Sequence, residues 1–342
     1  MTTSRENLRA VRDRIANRVV GREREFGLVL AAVAAGRDIL LEGPPGTSKS
    51  TILRAITEEW GIPLVFVEGN ADLTPAKLVG HHNPARVLKE DYSADNFVDG
   101  PLLEAMREGG FLYIEEFNRA PEDTLNTLLT AMAERRIAVP RAGTVTAKPT
   151  FRVIASMNPY DNIGTARLST SVHDRLNRLA ITYQDEKAER DIVALRAPLP
   201  ALDPALHARV VSDAVAVTRA TRAHEDVRQG SSVRGAIDLT AIAGQLANFY
   251  PVSARGDDPP EPPDARPVKT ENTDHAERIF ATLSESAYRD LIYDAMVVAL
   301  SGRIFLDETV EATPEQVLRE IWENHFVLGK HGVLNPATAE PG

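Results

Sequence analysis

The chain has no cysteine among its 342 residues. Disulfides, thiolate metal sites and cysteine nucleophiles are excluded, and a reducing compartment is permitted. Basic charge is also in short supply. Lys and Arg total 39 against 49 Asp and Glu, for a net charge of −10. That disfavours a non-specific nucleic-acid binder, because phosphate affinity comes from clustered Lys and Arg. The first 24 residues carry seven arginines against three acids, which reads as a solvated helix face. Long apolar runs are missing too. The longest, Leu28 to Ala35, is far shorter than the roughly 20 residues of a membrane span. Met1 to Glu6 lacks the apolar core of a secretory signal. These absences lead to the expectation of a cytoplasmic protein. What is present, 43% apolar and 26% charged residues, is the composition of a globular chain long enough for two domains.

Gly43-Pro44-Pro45-Gly46-Thr47-Ser48-Lys49-Ser50 is the most informative stretch. It follows the apolar run Ile39 to Leu41 and opens a helical pattern from Ile52 to Trp60. A glycine-rich turn between a buried strand and a helix start cradles phosphate, since backbone N–H groups converge there and the helix dipole favours an anion. Lys49 would reach the β- and γ-phosphates, and the Ser50 hydroxyl would sit on Mg²⁺. Ser48 stands where the pattern has its second glycine, and serine resists a positive φ more than glycine does. A plain glycine-rich turn is the competing reading.

The surrounding pattern is alternating. Leu8, Val11 and Ile15 predict a lead-in helix over 5–18, and a second helix is expected over 26–35. Strands are expected over 63–67, 111–114, 152–157 and 179–183, in continuous apolar runs that argue for a parallel sheet covered on both faces. Glu122 to Arg135 reads as a helix with Leu125, Leu128, Leu129 and Met132 on one face. After Tyr183 strand signals fade, and 185–196, 204–222, 234–248, 277–300 and 314–326 look helical. The last of these has Thr313 as N-cap, Pro314 at N1 and Gln316 at N3. Six prolines among acids and small residues make 251–274 an extended insert, and the tail 331–342 is expected to be loose.

A second chemical signal is Glu115-Glu116, at the end of Phe111 to Ile114. Open α/β sheets bind ligands outside the carboxyl ends of their strands. One acid there can hold Mg²⁺ through water, and the next can orient and deprotonate an attacking water. A solvated acidic turn is the alternative. Asn158 ends the 152–157 strand, where its amide can reach a phosphate or water, although Asn-Pro is also a common loop start. Asp174-Arg175 precedes the last strand, and Gly230-Ser231-Ser232-Val233-Arg234 opens a helix. His81-His82 lacks further ligands at metal spacing and reads as a loop pair.

Taken in order, these pieces resemble an AAA+ ATPase, more narrowly the MoxR family, over about Val19 to Phe326. The resemblance implies an αβα P-loop NTPase sandwich with a five-stranded parallel sheet, followed by an all-α lid. It divides the chain into a lead-in helix (1–20), an ATPase core (21–184), a lid (185–330, with the 251–274 insert) and a tail (331–342). It places Val20 and Gly21 near the adenine of ATP, and Gly43 to Thr51 around the phosphates, with Lys49 as the clamp. Ser50 and Glu115 would hold Mg²⁺, Glu116 would be the catalytic base, and Asn158 would position water. Arg175 would act in the neighbouring subunit's site, with Arg178 as its rival, and Arg234 would touch the γ-phosphate from the lid. The usual first acid is Asp, so Glu115 departs by one methylene, and with Ser48 it points to slowed turnover. Residues 83–100, a helix 2 insert, and 136–152, a hairpin turning at Arg141-Ala142-Gly143, would engage a client. A six-membered homo-oligomeric ring and a von Willebrand factor A domain partner are further implications. The alternatives are a nucleotide-dependent switch with negligible hydrolysis and a ring motor on nucleic acid. The second is disfavoured by a hairpin whose basic residues over 137–150 are only Arg141 and Lys148.

Overall fold

The computed structural model describes residues 10–11, 13–14, 19–90, 92–159, 168–200, 202–247 and 284–329. The chain divides into two compact units, Met1–Gln184 and Asp185–Gly342. Most of the lead-in helix, the 251–274 insert and the 331–342 tail lie outside the described residues.

The first unit runs α1 (Glu23–Ala34), β1 (Ile39–Glu42), α2 (Lys49–Trp60), β2 (Leu64–Glu68), α3 (Pro75–Val79), β3 (Gly80–His82) and α4 (Pro84–Glu90). It continues with β4 (Phe97–Asp99), α5 (Pro101–Glu108), β5 (Phe111–Glu115), α6 (Glu122–Glu134), β6 (Arg136–Val139) and β7 (Gly143–Thr146). β8 (Arg152–Met157), α7 (Thr170–Arg175) and β9 (Asn177–Ala180) complete it. β2-β5-β8-β1-β9 form one parallel sheet in that order. Strand side chains alternate between faces, and both faces are covered. Leu40, Leu112, Ile114, Val153 and Ala155 pack with residues of α3, α5, α6 and α7. Ile39, Leu41, Phe111, Tyr113 and Ile154 pack with α1 and α2. This double burial is why the strands read as unbroken apolar runs.

Several boundaries differ from expectation. The last strand forms over 177–180 rather than 179–183. Its register against β1 runs from Asn177 opposite Ile39 to Ala180 opposite Glu42, and β1 ends there. The second strand begins after Pro63, which has no N–H to donate and uses its carbonyl to accept from Phe111 N at 2.8 Å. The hairpin is β6 and β7 alone, and 147–151 connect it to β8. Its turn sits one residue earlier than expected, at 140–142, with Arg141 at φ 60° and Gly143 at φ 90°. The 83–100 region is α4 and a short 3₁₀ turn enclosed by the antiparallel pair β3–β4. His81 and His82 therefore lie in a strand and not a loop. The His82 ring meets Tyr92 and Phe97 edge-on, each at 5.1 Å, and its Nε2 lies 3.2 Å from the Pro140 carbonyl.

The second unit contains α8 (Glu186–Arg196), α9 (Pro204–Ala223), β10 (Val227–Gln229), α10 (Val233–Leu246), α11 (Glu285–Leu300), β11 (Phe305–Leu306) and α12 (Pro314–Phe326). The helices surround one apolar core that includes Val210, Leu239, Leu291, Met296 and Leu318. The unit is not wholly helical. β10 and β11 pair antiparallel, so two loop segments satisfy each other's backbone groups. Thr313 and Gln316 form the expected capping box of α12. The helix expected from 277 is described from Glu285.

Candidate functional site

β1 delivers the chain into the loop Gly43 to Ser48, and α2 begins at Lys49. A Cβ on Gly43 would lie 2.0 Å from the Ile181 carbonyl oxygen, so no side chain fits. Gly43→Ala is expected to lower unfolding free energy by about 3 kcal/mol, the upper range for overpacking against backbone. Urea unfolding checks it, and wild-type stability would show that residue 181 yields. Gly46 and Ser48 are both left-handed, at φ 74° and 66°. Ser48 therefore adopts the conformation the glycine-rich pattern reserves for glycine. Thr47 Oγ1 donates to the Pro44 carbonyl at 2.9 Å. The buried Lys49 ammonium donates to the carbonyls of Gly43 and Pro44, each at 2.8 Å. Pro45 and Thr51 are exposed, and Ser50 is half-buried. Val20 and Gly21, the latter at φ 67°, lead to a fully buried Arg22. The Arg22 guanidinium bonds to the Thr182 carbonyl and lies 3.2 Å from Glu25.

Two strands away, β5 ends in Glu115. Glu116 is left-handed at φ 52°, and its carboxylate lies 3.2 Å from Arg119 Nη1. Gly69 permits this turn: a Cβ there would lie 2.4 Å from the Glu116 carbonyl oxygen. Tyr113, two residues before Glu115, was not singled out by the sequence. Its hydroxyl lies 2.9 Å from Ser156 Oγ and also interacts with the Ser50 hydroxyl and the Glu115 carboxylate. Ser50, at the start of α2, and Glu115, at the end of β5, thus both lie beside one phenol. Hydroxyl and carboxylate oxygens are hard donors of the kind Mg²⁺ takes, so the residues present fit that ion. Burial pushes the Tyr113 pKa up; the Ser156 bond opposes this and the Glu115 charge adds to it. The neutral phenol is favoured in the folded state, so its stabilisation is complete below the unfolded value near 10 and is lost as pH rises beyond it. Unfolding free energy is expected to fall as pH rises above about 10, and less so in Tyr113→Phe, measured by urea titration.

Asn158 follows β8, the strand between β5 and β1. Its carbonyl accepts from the buried Asn118 Nδ2 at 3.4 Å. The loop with Lys49 and Ser50, the pair Glu115-Glu116, and Asn158 therefore leave three adjacent parallel strands at the same edge. Arg175 does not join them. It ends α7, just ahead of Asn177, which pairs with the first residue of β1. At about 3.3 Å per residue, the four residues of β1 set it roughly 13 Å from the loop along the sheet. The side chain is exposed, and its Nη1 donates to its own helix at the Ser171 carbonyl, 3.2 Å away. Beside it is a cavity of about 440 Å³ lined also by Arg37, Asp38, Arg135 and Asp174. Arg178 is tied to Glu42 of β1, and that carboxylate raises its pKa. Arg234 belongs to the second unit, as the exposed second residue of α10, whose N-cap is Ser232.

The sequence also missed Gln184. Its buried side chain donates from Nε2 to Ser48 Oγ at 3.2 Å. Gly69 was readable as a glycine at a strand's carboxyl end. Tyr113 and Gln184 carried no local signal.

A family model for the AAA domain, dynein-related subfamily, matches residues 38–176. Over that stretch the chain is similar to AAA domains. The match takes in the loop, both acids, Asn158 and Arg175, and ends before Arg178 and Arg234. An uncharacterized protein of Staphylococcus saprophyticus is 27% identical over 236 residues, covering 65% of this chain and 83% of that protein. The gas vesicle ATPase GvpN of Ancylobacter aquaticus is 27% identical over 232 residues, covering 63% of this chain and 62% of that protein. A candidate ATPase solved from Cytophaga hutchinsonii superposes with a TM-score of 0.46 at 20% identity, covering 93% of each chain. Among the described residues, no helix is long and apolar enough to cross a membrane.

Proposed function

We propose that the chain is a MoxR-type AAA+ ATPase, hydrolysing Mg·ATP at sites shared between neighbours in a ring, six-membered in the family it resembles. The supporting observation is the split between the two sheet edges. Phosphate loop, acids and Asn158 share one edge, and Arg175 lies at the other. No single chain brings that guanidinium to its own loop, whereas a head-to-tail neighbour can, and such contacts form a ring when the rotation closes.

In this reading Lys49 exchanges the Gly43 and Pro44 carbonyls for β- and γ-phosphate oxygens. The backbone N–H groups around residues 46–50 converge on the same phosphates, and the α2 dipole favours their charge. Ser50 and Glu115 would hold Mg²⁺, directly or through water, and the ion would neutralise phosphate charge. Glu116 orients a water and takes its proton as that oxygen bonds to the γ-phosphorus. The bond from the γ-phosphorus to the β–γ bridging oxygen breaks, and ADP leaves with that oxygen. Asn158 holds the water or the γ-phosphate. Arg175 of the next subunit and Arg234 of the same chain meet the charge that develops. The output is remodelling of a client complex contacted through the 83–100 insert and the β6–β7 hairpin, alongside a von Willebrand factor A domain protein. Similarity to proteins named gas vesicle ATPases supports the ATPase reading. A second reading, a switch that binds without hydrolysing, is favoured by the Glu116–Arg119 ion pair.

Phosphate release from Mg·ATP, measured with the mass of the particle in solution, tests both. Turnover that rises as particles assemble supports the shared site. Bound, unhydrolysed nucleotide favours the switch. A lone monomer with full turnover removes the shared site.

A further inference from the structure

After β9 the chain runs along the phosphate loop from one end to the other. Ile181 N donates to the Glu42 carbonyl at 2.7 Å, and the Ile181 carbonyl abuts Gly43. Thr182 accepts from Arg22. Gln184 then reaches Ser48, the last residue before α2. The Ser48 backbone is left-handed, a conformation that is unfavourable for a residue carrying a Cβ. A buried primary amide is costly without a partner, and Gln184 is only 4% exposed. Each residue answers the other: the hydroxyl gives the amide an acceptor, and the amide holds the hydroxyl of a residue in an unfavourable conformation.

We infer that Gln184 is a positioning residue for the phosphate loop, acting through the Ser48 hydroxyl to hold the start of α2 in its phosphate-receiving geometry. A glycine at position 48 would need no such support, and serine makes the loop depend on residue 184. This rests on the proposed nucleotide site and goes beyond it, because it assigns the fixing of the loop to a residue outside the motif. The phosphates meet the loop in ground and transition states alike. Loss of the bond therefore raises KM and leaves kcat nearly unchanged.

The test is a double-mutant cycle of Gln184→Met and Ser48→Ala on the full chain. Readouts are the affinity for a fluorescent ATP analogue with Mg²⁺, steady-state turnover and thermal unfolding. Either single change is expected to weaken binding about five- to tenfold, the size of one neutral hydrogen bond. The double variant should be no weaker than the poorer single, since both remove the same bond. KM should rise with kcat within about twofold. A folded Gln184→Met with wild-type affinity overturns the inference, as does additivity of the two changes. So does a lower melting temperature with affinity unchanged, which marks a purely structural role. Should Gln184→Met fail to fold, Ser48→Ala carries the test alone, with wild-type affinity again overturning it. A wild-type chain that binds no nucleotide defeats the ATPase reading itself, which separates the two failures.

Discussion

Arg175→Ala is expected to cut kcat by about 10³–10⁵, the range for loss of an arginine supplied to a neighbouring phosphoryl-transfer site. Affinity for ATP should stay within a few-fold, because the chain's own loop lies at the other end of the sheet and keeps every contact. The matched control is Arg178→Ala. That change breaks an exposed pair with Glu42, an interaction worth at most about 1 kcal/mol, and leaves the other guanidinium in place. Phosphate release and analogue binding, measured on both variants at concentrations where the particle is assembled, separate them. A dead Arg178→Ala beside an active Arg175→Ala would exchange the two roles.

Glu116→Gln should lower kcat by about 10²–10⁴, the worth of a positioned general base, with ATP still bound. The amide keeps the size of the side chain and can still accept from Arg119, so the left-handed turn at residue 116 has no reason to move. The close backbone approach at Gly69 that admits this turn is untouched by the change. The expected signature is a chain that retains labelled ATP through gel filtration and releases almost no phosphate. Undiminished turnover would take Glu116 out of the chemistry. The same change made at Glu115 should act mainly on the Mg²⁺ concentration needed, since that carboxylate meets Ser50 at the Tyr113 phenol.

The central strands were legible because β1, β5 and β8 are buried on both faces, and their apolar runs announce that directly. β9 was misplaced by two residues at its start and three at its end because Asn177-Arg178-Leu179-Ala180 is a mostly exposed edge strand. Its limits come from pairing with β1, a contact 138 residues away at Asn177 and Ile39 (177 − 39). β10 and β11 escaped because three and two residues carry no periodicity. At the site, the phosphate loop and the acid pair are local patterns and stood out in one dimension. Ser50 meeting Tyr113 beside Glu115, and Ser48 meeting Gln184, are encounters between residues far apart in the sequence. Nothing local to Tyr113 or Gln184 distinguishes it from an ordinary core residue.

The placement of Arg175 and Glu116 at opposite sheet edges has a genetic consequence. Two chains, each crippled at one of these positions, carry complementary defects rather than the same one. Blended in equal amounts and allowed to exchange subunits, about a quarter of the junctions would join an intact base to an intact arginine. Two dead preparations should therefore revive one another on mixing, as two recessive alleles do in one cell.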